Sequence, residues 1–471
     1  MGAEGGGRAA FLGRLKRDLG ALESYAAMIG MLVGAGIFRV TSVASERTGP
    51  GVILGYLLLA PAILATSVPY AVYVSTPLGR EPGGEYAHLL HTFGGKRLAF
   101  MTAWLKLISY LGALAYLALA LADYLHELFA PTGELGEGLR EFVAIASLAF
   151  FFAVHAAGVR WFARLQVWMC AVLGVSIAVL VIPGLFAIHP ENYVPFLPHG
   201  VPGLLAALPP LFFAFAGFEG VAHAAGEVRE STRRLPRVFL RGILAAAGIF
   251  LAMSVVAFGV LPHDVLERSR APMAEAAGAY LPVGAKALVT LGGVFAVATS
   301  LNASMLVPTR LALVLARDEL LPGWLGAVHE RRGTPIPGLT ATLAIAVFLI
   351  LSRQLALALN IAVFALVLVY ALHSAALLFL PFRNPELQAA ATCALPLWVQ
   401  RTAAVFSLLS MGALISTQLV QDVGHIRATG FVERFRGESV TSLELLALWG
   451  AVGLLLYQGS RGAGRRRGAT P

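Results

Sequence analysis

Residues 209–219 read Pro209-Pro210-Leu211-Phe212-Phe213-Ala214-Phe215-Ala216-Gly217-Phe218-Glu219, an apolar run that ends on a carboxylate. The run sits inside an apolar segment, 204–226, that is long enough to cross a bilayer. Glu219 is then an ionisable residue within a membrane span, which marks a functional site by default. Ala216-Gly217 falls about a dozen residues into the span, where a helix that breaks leaves backbone N–H groups free to orient a carboxylate. The alternative is a structural carboxylate that ties helices together.

A second stretch has the same character. Gly30-Met31-Leu32-Val33-Gly34-Ala35-Gly36-Ile37-Phe38 lies within the apolar segment 22–45, with its small residues again about a dozen positions in. Glycine in a helix interior costs about 1 kcal/mol relative to alanine. Three within seven residues favour an unwound or closely packed segment. A break at Gly34–Gly36 exposes amide donors at the positive end of a half-helix, which suits a carboxylate. Gly30 and Gly34 are also spaced as a small-residue packing face, so that reading stays open. A dinucleotide loop is excluded, because Gly34-x-Gly36 lacks a third glycine and follows no strand. Paired interruptions in two corresponding segments point to an inverted repeat with broken helices at its centre.

Composition agrees. Of 471 residues, 58% are hydrophobic and 13% charged, against about 25% charged in a soluble domain, and the mean hydropathy is +0.76. So few charges cannot cover a water-exposed surface, which excludes a cytosolic enzyme, a disordered chain and a nucleic-acid binder despite the net charge of +9. Cys170 and Cys393 form no CxxC pair, so neither a disulfide framework nor a zinc site is expected.

A ruler of about 20 apolar residues gives twelve spans: 22–45, 51–75, 98–128, 142–159, 163–187, 204–226, 239–261, 285–315, 338–353, 356–380, 401–421 and 440–457. The ninth and twelfth are the weakest because they are short. The expected fold is an all-α polytopic membrane protein of 12 transmembrane helices. A 5+5 inverted repeat with discontinuous helices 1 and 6 is followed by two extra C-terminal helices. The expected divisions are a cytoplasmic tail at 1–20, a first repeat at 21–188, an outer loop at 189–203, a second repeat at 204–380, two helices at 381–457 and a basic tail at 458–471. With both termini inside, 23 of the 35 Lys and Arg residues fall on inner segments and 10 on outer loops, with Lys106 and Arg310 inside spans. That bias matches the positive-inside rule. The N-terminal stretch is glycine-rich and basic and reads as a tail rather than a cleavable signal.

Four blocks carry a family resemblance. Gly34-Ala35-Gly36-Ile37-Phe38 resembles the first-helix signature of the amino acid–polyamine–organocation (APC) transporter superfamily, in its bacterial-type permeases. Pro82-Gly83-Gly84-Glu85-Tyr86 through Phe93-Gly94 is similar to its loop between helices 2 and 3. Phe213 to Glu219, followed by Glu227-Val228-Arg229 and Leu235-Pro236-Arg237, is similar to its sixth-helix block. Ala316-Arg317-Asp318-Glu319-Leu320-Leu321-Pro322 with Gly333-Thr334-Pro335 is similar to the segment after helix 8. Together they cover roughly residues 22–380.

The resemblance implies an amino acid held between the two broken helices. The amides of Ala35 and Gly36, beside Gly34, would take its carboxylate; the carbonyls of Leu32, Phe213 and Ala216 would take its ammonium. Phe213, Phe215 and Phe218 are candidate gate or pocket surfaces, and Ser304 a candidate substrate contact. Glu219, Ser300 and His223 are candidates for coupling or gating. Hydroxyls in Thr299-Ser300-Leu301-Asn302-Ala303-Ser304 could join first-helix carbonyls near Leu32 as a sodium site, although hydrogen bonding between helices is the plainer reading. Many sodium-independent relatives carry a fifth-helix lysine, whose place here falls near Leu173, and residues 165–188 hold no lysine. Lys106, near the inner end of the third span, is expected to snorkel to the interface, the alternative being that it substitutes functionally for that lysine. His223, one turn beyond Glu219, is expected to be a packed histidine or a member of a proton relay.

The function expected is secondary transport of amino acids by alternating access, as symport or exchange, with proton or sodium coupling, no catalytic residue, no cofactor and no resident metal. The alternatives are a polyamine or amine transporter, an amino acid/amine antiporter, and a membrane substrate sensor that moves nothing. The expected partners are the amino acid and the lipid bilayer, without nucleic acid, in a monomer or homodimer of the cell (plasma or inner) membrane. No HExxH, GxSxG or paired membrane aspartates point to an enzyme.

Overall fold

The computed structural model describes residues 17–34, 36–130, 135–269, 271–352, 355–429 and 440–467. Among them the chain forms nineteen α-helices and two isolated β-bridges, with no extended sheet. In chain order these are α1 (Ala21–Leu32), α2 (Thr41–Thr48), α3 (Val52–Val74), α4 (Glu85–Phe93), α5 (Lys96–Phe129), α6 (Glu137–Ala157), α7 (Val159–Gly184), α8 (Gly200–Ala214), α9 (Gly220–His223) and α10 (Ser231–Val260). There follow α11 (His263–Arg268), α12 (Pro272–Tyr280), α13 (Val283–Ser304), α14 (Leu306–Arg317), α15 (Ile336–Leu351), α16 (Leu355–Arg383), α17 (Pro385–Ala389), α18 (Leu397–Ala428) and α19 (Ser442–Arg467).

Among the described residues ten helical stretches are long and apolar enough to cross a membrane, and α8 and α15 are apolar but shorter. The ninth span is short, as expected. The sixth is shorter than expected because its helix stops at Ala214. The eighth, expected to be continuous, breaks between α13 and α14 at Met305. Pro308 supplies the reason: it has no N–H to donate, and its ring crowds the carbonyl of Ser304 four residues back. The twelfth runs on as helix to Arg467, past the boundary expected at 457. Residues 1–16 and 468–471 of the two expected tails lie outside the described residues.

Burial divides the bundle. α5 and the α13–α14 rod are enclosed by other helices, whereas α6, α7, α18 and α19 turn much of their surface outward. Phe142, Phe150, Trp168, Trp398, Leu409 and Val420 stand exposed on those outer helices, as an apolar solvent rather than water would require. α3 packs on α10, α5 on α13 and α16, and α7 on α13. α19 is fastened to α5 by a reciprocal clasp. Trp104 and Trp449 stack with ring centroids 4.3 Å apart. Each indole N–H donates to the other's carbonyl, Trp104 Nε1 to Trp449 O at 2.8 Å and Trp449 Nε1 to Trp104 O at 2.7 Å.

Candidate functional site

Two interrupted helices build the centre of the bundle. α1 ends at Leu32, bends through Val33 and Gly34, and resumes as a π-helical turn over Gly36–Val40. α8 ends at Ala214, and turns over 215–219 lead into α9. The breaks meet. A Cβ on Gly36 would lie 2.4 Å from Ala214 Cα, so only glycine admits the crossing. Gly217 holds φ +106°, a region closed to residues with a side chain, and lies against Met31.

Beside the crossing is a cavity of about 40 Å³, room for roughly three water molecules. Met31 and Gly36 form one side, and Phe213, Ala216 and Gly217 the next. Ser109, Tyr110, Ala113 and Leu117 of α5 face them, with Ser300 and Ser304 of α13 and Leu366 of α16 completing the wall. Among the described residues no Asp, Glu, Lys or Arg lines it.

The candidates named from sequence divide accordingly. Gly36, Phe213, Ala216, Ser300 and Ser304 line the cavity. Phe215 turns away onto Tyr56 and Phe250, at ring distances of 5.9 and 4.8 Å, and Phe218 packs on Tyr70 and Tyr370 at 5.3 and 5.2 Å. These two are core residues rather than pocket wall, because turns at 215–219 rotate them out of the helical register. Leu32 is buried at the end of α1. A Cβ on Gly34 would overlap the Ser300 hydroxyl. Ala35 lies outside the described residues. Leu173 is buried.

One turn along α5 from Tyr110 lies Lys106, and here the structure corrects the sequence reading. Lys106 does not snorkel: its side chain is 1% exposed, and Nζ lies 2.7 Å from both Glu85 Oε1 and Glu219 Oε1. The carboxylates outcompete the interface because both are already buried and would otherwise stand unpaired. The Tyr110 hydroxyl donates to Glu219 Oε1 at 2.8 Å and the Gly217 amide to Oε2 at 3.1 Å. The Tyr370 hydroxyl also donates to Oε2, and that of Tyr70 to Glu85. Both Glu219 oxygens are thus engaged, and Glu219 is absent from the cavity wall. His223 faces Glu85 rather than Glu219. Its Nε2 lies 2.8 Å from Glu85 Oε2, within ion-pair range but off the line of a hydrogen bond. Gly84, at φ +48°, lets the His223 ring pack where a Cβ would stand. Burial opposes the charge on Glu85, yet Lys106 and His223 hold its carboxyl well below the usual carboxylate range.

Further buried polar groups surround this cluster. Arg310 of α14 grips Glu227 with Nε and a terminal nitrogen at 3.0 and 2.8 Å. His88 Nδ1 and His373 Nε2 are 2.9 Å apart, and burial, then His373, hold the His88 ring well below the usual imidazole range. On the other side of α1, Ser300 donates to Gly30 O at 2.7 Å, and Thr299 to Ala296 O at 2.8 Å and Gly30 O at 3.3 Å. These oxygens are of the hard, neutral kind a sodium ion takes, and their hydroxyl hydrogens are spent on the carbonyls. Among the described residues no group of three His, Cys, Asp or Glu could hold a metal ion. Sequence reasoning missed the joining of Glu85, Lys106 and Glu219. The available signal was that Lys106 and Glu219 are both ionisable residues inside apolar spans, which find partners when buried.

The profile described as amino acid permease matches residues 19–431. A methylthioribose transporter of Bacillus subtilis is 26% identical over 335 residues, covering 68% of this chain and 72% of that protein. A branched-chain amino acid permease of the same organism is 25% identical over 342 residues, covering 68% and 71%. The chloroplastic cationic amino acid transporter 9 of Arabidopsis thaliana is 30% identical over 331 residues, covering 67% and 58%.

Proposed function

The chain belongs to the amino acid permease family, a family of multi-pass membrane transporters, and from that premise we propose that it moves amino acids by alternating access as a secondary transporter. The observation that carries this reading is the small cavity at the crossing of two broken helices, walled by Gly36, Phe213 and Ala216. A broken helix offers amide donors to a carboxylate and carbonyls to an ammonium without a fixed ion of either sign. A zwitterion needs both ends matched and no net counter-charge. We assign the substrate carboxylate to the amides at Ala35 and Gly36 and the ammonium to the carbonyls of Leu32, Phe213 and Ala216. Ser304 supplies a side-chain contact. In the same proposal helices 1–5 and 6–10 form inverted repeats, twelve helices cross the cell membrane, and both termini face the cytoplasm, in keeping with the Lys and Arg bias.

The committed side chains favour neutral amino acids over cationic ones. Glu219 would be the counter-ion for a cationic side chain, and Lys106, Tyr110, Tyr370 and the Gly217 amide already occupy it. Counterflow in proteoliposomes tests the reading, with radiolabelled L-alanine, L-leucine, L-arginine, putrescine and methylthioribose. Exchange of a neutral amino acid is expected. Exchange of putrescine or methylthioribose alone refutes the amino acid assignment. Saturable binding with no exchange turns the reading toward a sensor.

A further inference from the structure

The buried cluster below the cavity is one positive charge short. Glu85 and Glu219 are 1% and 0% exposed, and the ammonium of Lys106 serves both. Two carboxylates against one ammonium leave one negative charge in a water-poor interior, where an uncompensated charge is costly.

Tyr70 of α3, Tyr110 of α5 and Tyr370 of α16 donate neutral hydroxyls. Tyr73 of α3 is bonded to Thr92 and stacked on His88. His88 of α4 and His373 of α16 are bonded to each other. Arg310 of α14, which packs on α9, is matched one to one by Glu227. On α1, Glu23 accepts from the Gly20 amide and Tyr25 donates to Arg237 O. His223 is what remains. Its ring is fully buried, Nε2 faces Glu85 Oε2 at 2.8 Å, and Nδ1 has no partner among the described residues.

We propose that the His223–Glu85 pair is the binding site of a single transported proton, and that this proton balances the Lys106 cluster. The proposal rests on the transport reading above and adds the coupling ion. The site lies between the cavity and the end of the bundle where α5 begins, with Lys106 about 15 Å along that helix. His223 stands one turn past the second helix break, and Glu85 opens α4, so the proton joins the broken sixth helix to the segment between helices 2 and 3. With the proton bound the cluster is neutral and can stay closed. With the proton released to water the pair carries one net negative charge and separates toward solvent. The proton is taken from water on one face and returned to water on the other, and no other bond is made or broken.

The test uses full-length protein in proteoliposomes, with radiolabelled L-alanine, L-leucine and L-arginine. Each preparation is normalised to its own counterflow rate, and a pH-sensitive dye is sealed inside. One proton per substrate predicts about tenfold accumulation for each unit of imposed pH gradient, with matching acidification of the lumen. His223→Gln and Glu85→Gln are each expected to lower that stimulation to about onefold. The dye measurement on the wild type needs no variant, and His223→Asn stands in should either substitution prevent folding. Wild-type counterflow with no response to a pH gradient overturns the proposal and leaves the transport reading intact. So does stimulation by a sodium gradient instead, or a His223→Gln protein that keeps the full proton response. A wild type that exchanges none of the three withdraws the transport reading together with the proposal.

Discussion

Replacing Lys106 with methionine separates a buried bridging lysine from a snorkelling one. Methionine preserves the stem and removes only the ammonium. At 2.7 Å and an effective dielectric constant of about 20, each contact has a Coulomb energy of about 6 kcal/mol. Desolvation of the three ions offsets most of the gross attraction, and breaking a buried pair by removing one partner costs about 3–5 kcal/mol. Lys106→Met is therefore expected to lose about that much stability at pH 7.5, measured by unfolding titrations in mixed micelles. The pH dependence has a definite sign. In the wild type the Glu85 carboxyl is depressed, so its contribution is complete above the unfolded value near 4.5 and is lost only as pH falls through the folded value. Between pH 8 and 5 that contribution is flat. In the variant Glu219 loses its only ion-pair partner among the described residues while His223 still faces Glu85, and the folded state takes up a proton that the unfolded state lacks. Its stability then rises as pH falls, by about 1.4 kcal/mol for each unit over which that proton is held. The gap between the two proteins should narrow toward pH 5. A loss below about 1 kcal/mol with no pH trend is the signature of a lysine that reaches the interface, and it would refute the reasoning.

Three other outcomes are expected. Ala113→Phe places a ring in a cavity of about 40 Å³ and should abolish ligand-induced thermal stabilisation, at an overpacking cost of about 1–3 kcal/mol in the unliganded protein; retained stabilisation by an amino acid would move the site elsewhere. Glu219→Gln removes one negative charge from the cluster, so uptake should lose its dependence on pH between 5.5 and 8, and an unaltered profile would return Glu219 to a purely structural role. Glu227→Gln leaves the Arg310 guanidinium, 2% exposed, without its counter-charge, and should cost about 3–5 kcal/mol in the same unfolding titration; a loss under about 1 kcal/mol would mean that water reaches the pair.

The spans and both interruptions were legible because each depends on local composition. Gly34, Gly36 and Gly217 weaken a helix wherever they occur, and the long apolar runs around them have one solvent that suits them. The boundary at Met305 was legible in principle through Pro308, yet an apolar run on both sides concealed it. Of the three phenylalanines the resemblance offered as gate or pocket surfaces, Phe213 lines the cavity while Phe215 and Phe218 pack on other rings, a division set by turns at 215–219 that no local pattern reports. Lys106 was misread for a different reason. Its partners, Glu85 and Glu219, lie 21 and 113 positions away in the chain, and no local pattern reports a contact at that separation. Likewise, the α5 side of the cavity, Ser109 to Leu117, carries no motif of its own, since alanine, serine and leucine there look like any enclosed helix.

The tryptophan clasp between α5 and α19 has a mechanical corollary. Turning α5 about its axis by a single residue step would slide the two indoles apart and rupture both reciprocal bonds, together about 1–3 kcal/mol, along with their stacking. The last helix thus serves as a splint on the third. Any displacement of the third span therefore carries the last helix with it, as one body.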